Sequence, residues 1–62
     1  MNKIEKVLMK REGISEAEAR EWYEDTMAEV ESAIACGDFE LAEDIFMGDF
    51  GLEMDYLIDA LI

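Results

Sequence analysis

Histidine and proline are missing from this 62-residue sequence, cysteine occurs once, and no base follows Arg20. Each absence closes something off. Without histidine there is no Ser-His or Cys-His pair and no imidazole general base. A transition-metal site would lack its commonest ligand, and Cys36 has no second thiol to help hold one. Carboxylate di-iron bundles need a Glu-x-x-His motif, which cannot occur here. One cysteine cannot close an internal disulfide, so the chain falls outside the disulfide-stapled secreted class, and a reducing cytoplasm is the expected compartment. Cys36 itself reads as a small buried apolar residue, with a redox-sensitive or dimer-linking thiol as the alternative. No apolar run approaches the ~20 residues of a membrane span, and the charged N-terminal segment does not read as a signal peptide.

Other chemical motifs are also lacking. There is no Gly-rich phosphate loop, and the stretch from Asp44 to Asp55 lacks the alternating ligands of a calcium loop. Acid pairs such as Glu40 with Glu43 and Asp44 are plentiful. Acid–base work would need a desolvated pocket that splits their pKa values, and a chain this short has little room for one. The sequence therefore predicts a protein that is not an enzyme, with no cofactor and no metal.

What is present is acid. Seventeen Asp and Glu stand against five Lys and Arg, for a formal net charge of −12. The bases Lys3, Lys6, Lys10, Arg11 and Arg20 all lie in the first third, and from Glu21 onward there are thirteen acids and no base. Such a field repels nucleic acid and attracts basic surfaces. No direct nucleic-acid partner and no membrane partner is expected, and the few bases near the N-terminus make no nucleic-acid footprint.

Apolar residues make up 52% of the chain. Sixty-two residues form one domain (1–62), and a domain of this size buries only about 60% of its unfolded surface. The apolar share exceeds what one small core hides, so a homo-oligomer or an apolar docking face is expected. The alternative is a well-packed monomeric mini-bundle.

Glycines punctuate a helical pattern. The first helix is expected over about Asn2 to Glu12, with Ile4, Val7, Leu8 and Arg11 on one face and Gly13 as its stop. Ser15-Glu16-Ala17-Glu18 has the capping-box pattern, with Ile14 placed as a hydrophobic staple. It opens a long helix to about Cys36, which Gly37 ends. Asp38 caps a third helix, about Phe39 to Phe50, in which Gly48 is expected to cause an early end or a bend. After Gly51 a short fourth helix runs from about Glu53 to Leu61, with Met54, Leu57, Ile58 and Leu61 on one side. Nothing alternates as a strand does. The expected fold is all-α: a compact bundle of three to four helices around one long central helix. Leu41, Ile45, Phe46, Leu57 and Leu61 are the expected partners of the long helix.

At about 100° per residue, Trp22, Ala33, Thr26, Ala19, Val30, Tyr23, Ile34 and Met27 fall within an arc of roughly 140°. Glu18, Glu21, Glu24, Asp25, Glu29 and Glu31 fall opposite. Glu18, Glu21, Asp25 and Glu29 make one stripe at i, i+3 and i+4 spacing, with no lysine among them. Such like-charge neighbours cost a few tenths of a kcal/mol each. Two readings follow: a solvated face that keeps the protein soluble, or a partner-binding face. Trp22 and Tyr23, at the two sides of the apolar arc, are the expected anchors of an oligomer interface.

Three resemblances arise. Asp49-Phe50-Gly51-Leu52-Glu53-Met54-Asp55 resembles the Asp-Leu-Gly-x-Asp-Ser-Leu segment of acyl carrier proteins. Met54, however, stands where the carrier serine belongs, and that activity is not implied. Gly37-Asp38-Phe39-Glu40-Leu41-Ala42 is similar to the turn of a tetratricopeptide repeat, and implies an antiparallel helix pair. Arg11-Glu12-Gly13-Ile14-Ser15 with Glu18-Ala19, Gly37-Asp38 with Ala42-Glu43-Asp44-Ile45, and Gly51-Leu52-Glu53 with Asp55-Tyr56-Leu57 resemble small acidic helical proteins of phages and mobile elements. That likeness implies a binder that blocks a host nucleic-acid enzyme or a defence complex. The expected function is thus an acidic inhibitor that docks on a basic, nucleic-acid-binding protein surface as a nucleic-acid mimic. The alternative is an oligomeric structural or assembly module working through an apolar helix face.

Overall fold

The structure, a computed structural model, describes residues 2–61. Four helices follow in order: α1 (Lys3–Glu12), α2 (Glu16–Ala35), α3 (Phe39–Phe50) and α4 (Met54–Leu61). No strand occurs among the described residues. The protein is an all-α bundle whose longest member is α2.

The starts and stops are set locally. Asn2 Oδ1 accepts from the Glu5 amide at 2.8 Å, and Glu5 Oε1 accepts from the Asn2 amide at 3.1 Å, closing a capping box on α1. Ser15 Oγ accepts from the Glu18 amide at 3.2 Å at the start of α2. Asp38 Oδ1 accepts from the Leu41 amide at 3.0 Å at the start of α3. Between these last two, Gly37 takes φ +81°. Its N–H reaches the Ile34 carbonyl while the Asp38 N–H reaches that of Ala33, both at 2.9 Å. This is a Schellman stop, and it turns the chain sharply enough for Asp38 to cap the next helix at once.

Packing follows from the arcs. At 1.5 Å per residue, α2 is about 30 Å long, close to the 34 Å long axis of the molecule. Helices α1 and α3 pack against α2, and α4 packs against α3. The core joins Ile4 and Leu8 of α1, Ala19, Met27, Val30 and Ala33 of α2, Ala42, Phe46 and Phe50 of α3, and Leu57 of α4. Phe50 is its aromatic centre. Phe46 meets its ring edge-on at 5.0 Å, and Trp22 and Tyr23 approach at 6.1 and 6.2 Å. All eight residues of the α2 apolar arc are buried or half-buried, and all six acids opposite are exposed.

Several expectations are corrected. Gly48 does not end α3, which continues to Phe50. Phe46 and Phe50, fully buried one turn apart, hold the last turn against the core. Leu41 is 46% exposed and not in the core, because five residues place it about 140° around the axis from Phe46. Leu61 is 43% exposed, at the last residue of α4, one turn beyond the buried Leu57. Cys36 is exposed rather than buried. Eighteen residues, five full turns, place it at the angle of Glu18, in the acidic stripe about 40° outside Trp22 at the edge of the apolar arc. The buried face of α1 is rotated from the one expected. Glu5 is buried with Ile4 and Leu8, while Arg11 is exposed and pairs with Glu12 at 2.8 Å.

Candidate functional site

The acidic side of α2 and the adjoining edge of α3 form an open groove of about 670 Å³, lined by Glu18, Glu21, Trp22, Asp25, Thr26, Glu29 and Asp49. Its construction follows from helix geometry. The stripe Glu18, Glu21, Asp25 and Glu29 lies beside Trp22, the last residue of the apolar arc on that side, with Thr26 next to it. From α3, Asp49 falls between Ile45 and Ala42 around the axis, at the edge of the buried face. The two edges meet there. Trp22 Nε1–H donates to Asp49 Oδ2 at 3.3 Å, and the Thr26 hydroxyl donates to the same oxygen. Thr26 is 2% exposed, so Asp49 satisfies a buried hydroxyl that apolar packing would otherwise strand.

All four acids expected to form a binding face are therefore exposed and line one groove. A fifth carboxylate, Asp49, was not expected there. Its signal was an acid lying within the apolar arc of α3, where a carboxylate needs a donor from the facing helix. Among the described residues none of these five carboxylates makes an ion pair. The pairs that do form are Lys3 with Asp59 at 3.0 Å, Arg11 with Glu12, and Arg20 with Glu16 at 3.0 Å and Glu5 at 3.6 Å. Among the described residues Lys6 and Lys10 make no ion pair, and none of the bases lines the groove. Among the described residues, no group of three or more acids or thiols is placed to hold a metal ion. The arrangement can accept several cationic side chains from outside, each as a charge-assisted hydrogen bond.

Trp22 and Tyr23, about 100° apart around α2, border different cavities. Trp22 is a groove wall. Tyr23 borders a smaller cavity of about 250 Å³ between α1, α2 and α4, together with Asn2, Lys3, Ile4, Tyr56, Asp59 and Ala60. Burial, followed by the charges of Glu5 and Glu31, raises the Tyr23 pKa above its usual 10.0. Asp59 beside it raises that of Lys3. Both aromatic rings are half-buried against Phe50. The most exposed large apolar side chains are others: Phe39, Leu41, Met47, Ile58 and Leu61.

Glu5 was also missed as a buried group. Its side chain is 8% exposed, and Oε2, which accepts no hydrogen bond, faces Arg20 Nε across α1 and α2. Its signal was the Asn2-x-x-Glu5 spacing, which points the carboxylate back over the start of α1 and into the α2 contact.

No helix among the described residues is long and apolar enough to cross a membrane. No family model matches the chain, and no curated protein or solved structure is significantly similar to it.

Proposed function

We propose that this chain is a non-enzymatic acidic binding protein that docks its α2–α3 groove on the basic, nucleic-acid-binding surface of another protein. The observation that carries the proposal is the gathering of Glu18, Glu21, Asp25, Glu29 and Asp49 in one groove, none of them ion-paired among the described residues. Carboxylates on successive turns stand about 5–6 Å apart. That spacing lets the stripe meet a row of Lys and Arg side chains built to grip a phosphate backbone. Arginine suits it best, because the guanidinium fork binds a carboxylate bidentately and also stacks on an aromatic face, which Trp22 offers. Occupying such a basic surface excludes the nucleic acid. This fits an inhibitor of a host nucleic-acid enzyme or defence complex, and the phage or mobile-element setting belongs to the same proposal. So does a cytoplasmic location, which the single free thiol of Cys36 suits.

The test is capture of partners from host lysate, followed by binding measurements on the purified partner. Affinity should fall steeply between ~50 and ~500 mM NaCl, across which screening shortens severalfold. The partner's nucleic acid should compete with this chain. Replacing the four α2 acids with their amides should weaken binding at least tenfold, with much of the loss in the association rate. Binding that ignores salt and leaves the nucleic acid in place would overturn the proposal.

A second reading has its own observation. Phe39, Leu41, Met47, Ile58 and Leu61 each expose more than 40% of their surface. They favour an oligomeric structural or assembly module, with the acids serving solubility. Sedimentation equilibrium at micromolar concentration separates the two. A salt-insensitive dimer supports the assembly module, and a ~7 kDa monomer removes it.

A further inference from the structure

We draw no further inference here: the strongest candidate, a seat for one guanidinium beside Trp22 and Asp49 in the groove between α2 and α3, belongs to the surface already proposed and rests on a cluster of acidic residues with no bound group or buried unpartnered side chain to name its occupant.

Discussion

The indole N–H of Trp22 and the carboxylate of Asp49 tie the acidic edge of α2 to the buried edge of α3. Asp49 also receives the hydroxyl of Thr26 from the next turn of α2, so one side chain holds two donors of the facing helix. Asp49→Ala strands a buried hydroxyl and frees the indole. The expected loss is about 1–3 kcal/mol, toward the low end because Thr26 can turn its hydroxyl to the backbone one helical turn back. Tryptophan emission should shift to the red as Trp22 loses its anchor. Asp49→Asn keeps an acceptor oxygen and should recover most of the stability. An Asp49→Ala protein with unchanged emission and an unchanged melting curve would show that this link holds nothing in place.

The two glycines at Gly37 and Gly48 should respond to alanine with opposite signs. Gly48 lies inside α3 with open space around it, so Gly48→Ala should stabilise by about 0.5–1 kcal/mol. In a domain this small that raises the melting temperature by roughly 4–8 °C per kcal/mol. Gly37 also has open space, but its φ of +81° is one that L side chains rarely adopt. Gly37→Ala should cost about 1–2 kcal/mol through backbone strain alone. Thermal melts of the two variants against the parent decide it. Equal shifts would mean that the α2–α3 turn is not held in the left-handed conformation.

Much of this fold is written in the 3.6-residue period. The division of α2 into buried and acidic sides follows from angles alone, because twenty residues of helix give the pattern room to repeat. The caps at Ser15 and Asp38 were legible for a similar reason: their side chains act on amides three residues away, inside the local sequence. What was not legible depends on contacts between helices. Glu5 and Asp49 are acids in a chain full of acids; only the facing Arg20 makes the burial of Glu5 tolerable, and only the facing Trp22 and Thr26 single out the exposed Asp49 at the helix contact. Leu41 and Leu61 looked like core by residue type, yet which side of α3 and which turn of α4 meet a neighbour is set by the bundle. The groove was half legible. The α2 stripe could be drawn from sequence, but the α3 residue that completes it could not.

Tyr23 provides a pH test. Its pKa is raised in the folded protein, first by burial and then by Glu5 and Glu31. A raised folded-state pKa gives a contribution to stability that is fully present below the unfolded-state value near 10.0 and is lost as pH rises through the folded-state value. With Tyr56→Phe removing the other tyrosine, absorbance near 295 nm follows Tyr23 alone. The ionisation midpoint should lie above 10 in buffer, return to about 10 in strong denaturant, and be accompanied by falling stability as pH rises past it. The same midpoint in both solvents would place Tyr23 in water rather than against Phe50.

The acidic stripe makes a prediction that needs no partner. Glu18, Glu21, Asp25 and Glu29 are exposed neighbours at i, i+3 and i+4 spacing, and among the described residues no base pairs with any of them. Each contact should cost about 0.2–0.5 kcal/mol at low salt. Converting the Glu residues to Gln and Asp25 to Asn removes that repulsion. A glutamine in place of Glu18 can still serve the N-terminal cap, although the loss of an acid from the first turn of α2 gives back a few tenths of a kcal/mol. The net expectation is a variant more stable than the parent by roughly 0.5–1 kcal/mol at ~10 mM NaCl, where the Debye length is about 30 Å. Near 1 M salt, where it falls to about 3 Å, the two melting curves should converge. The parent should therefore gain more from added salt than the variant does. A variant that melts below the parent at low salt would mean that these acids are stabilised by contacts the groove does not show. A variant that is more stable, yet no longer binds a basic partner, would separate the two roles of the stripe: repulsion that the free protein tolerates, and charge that the complex uses.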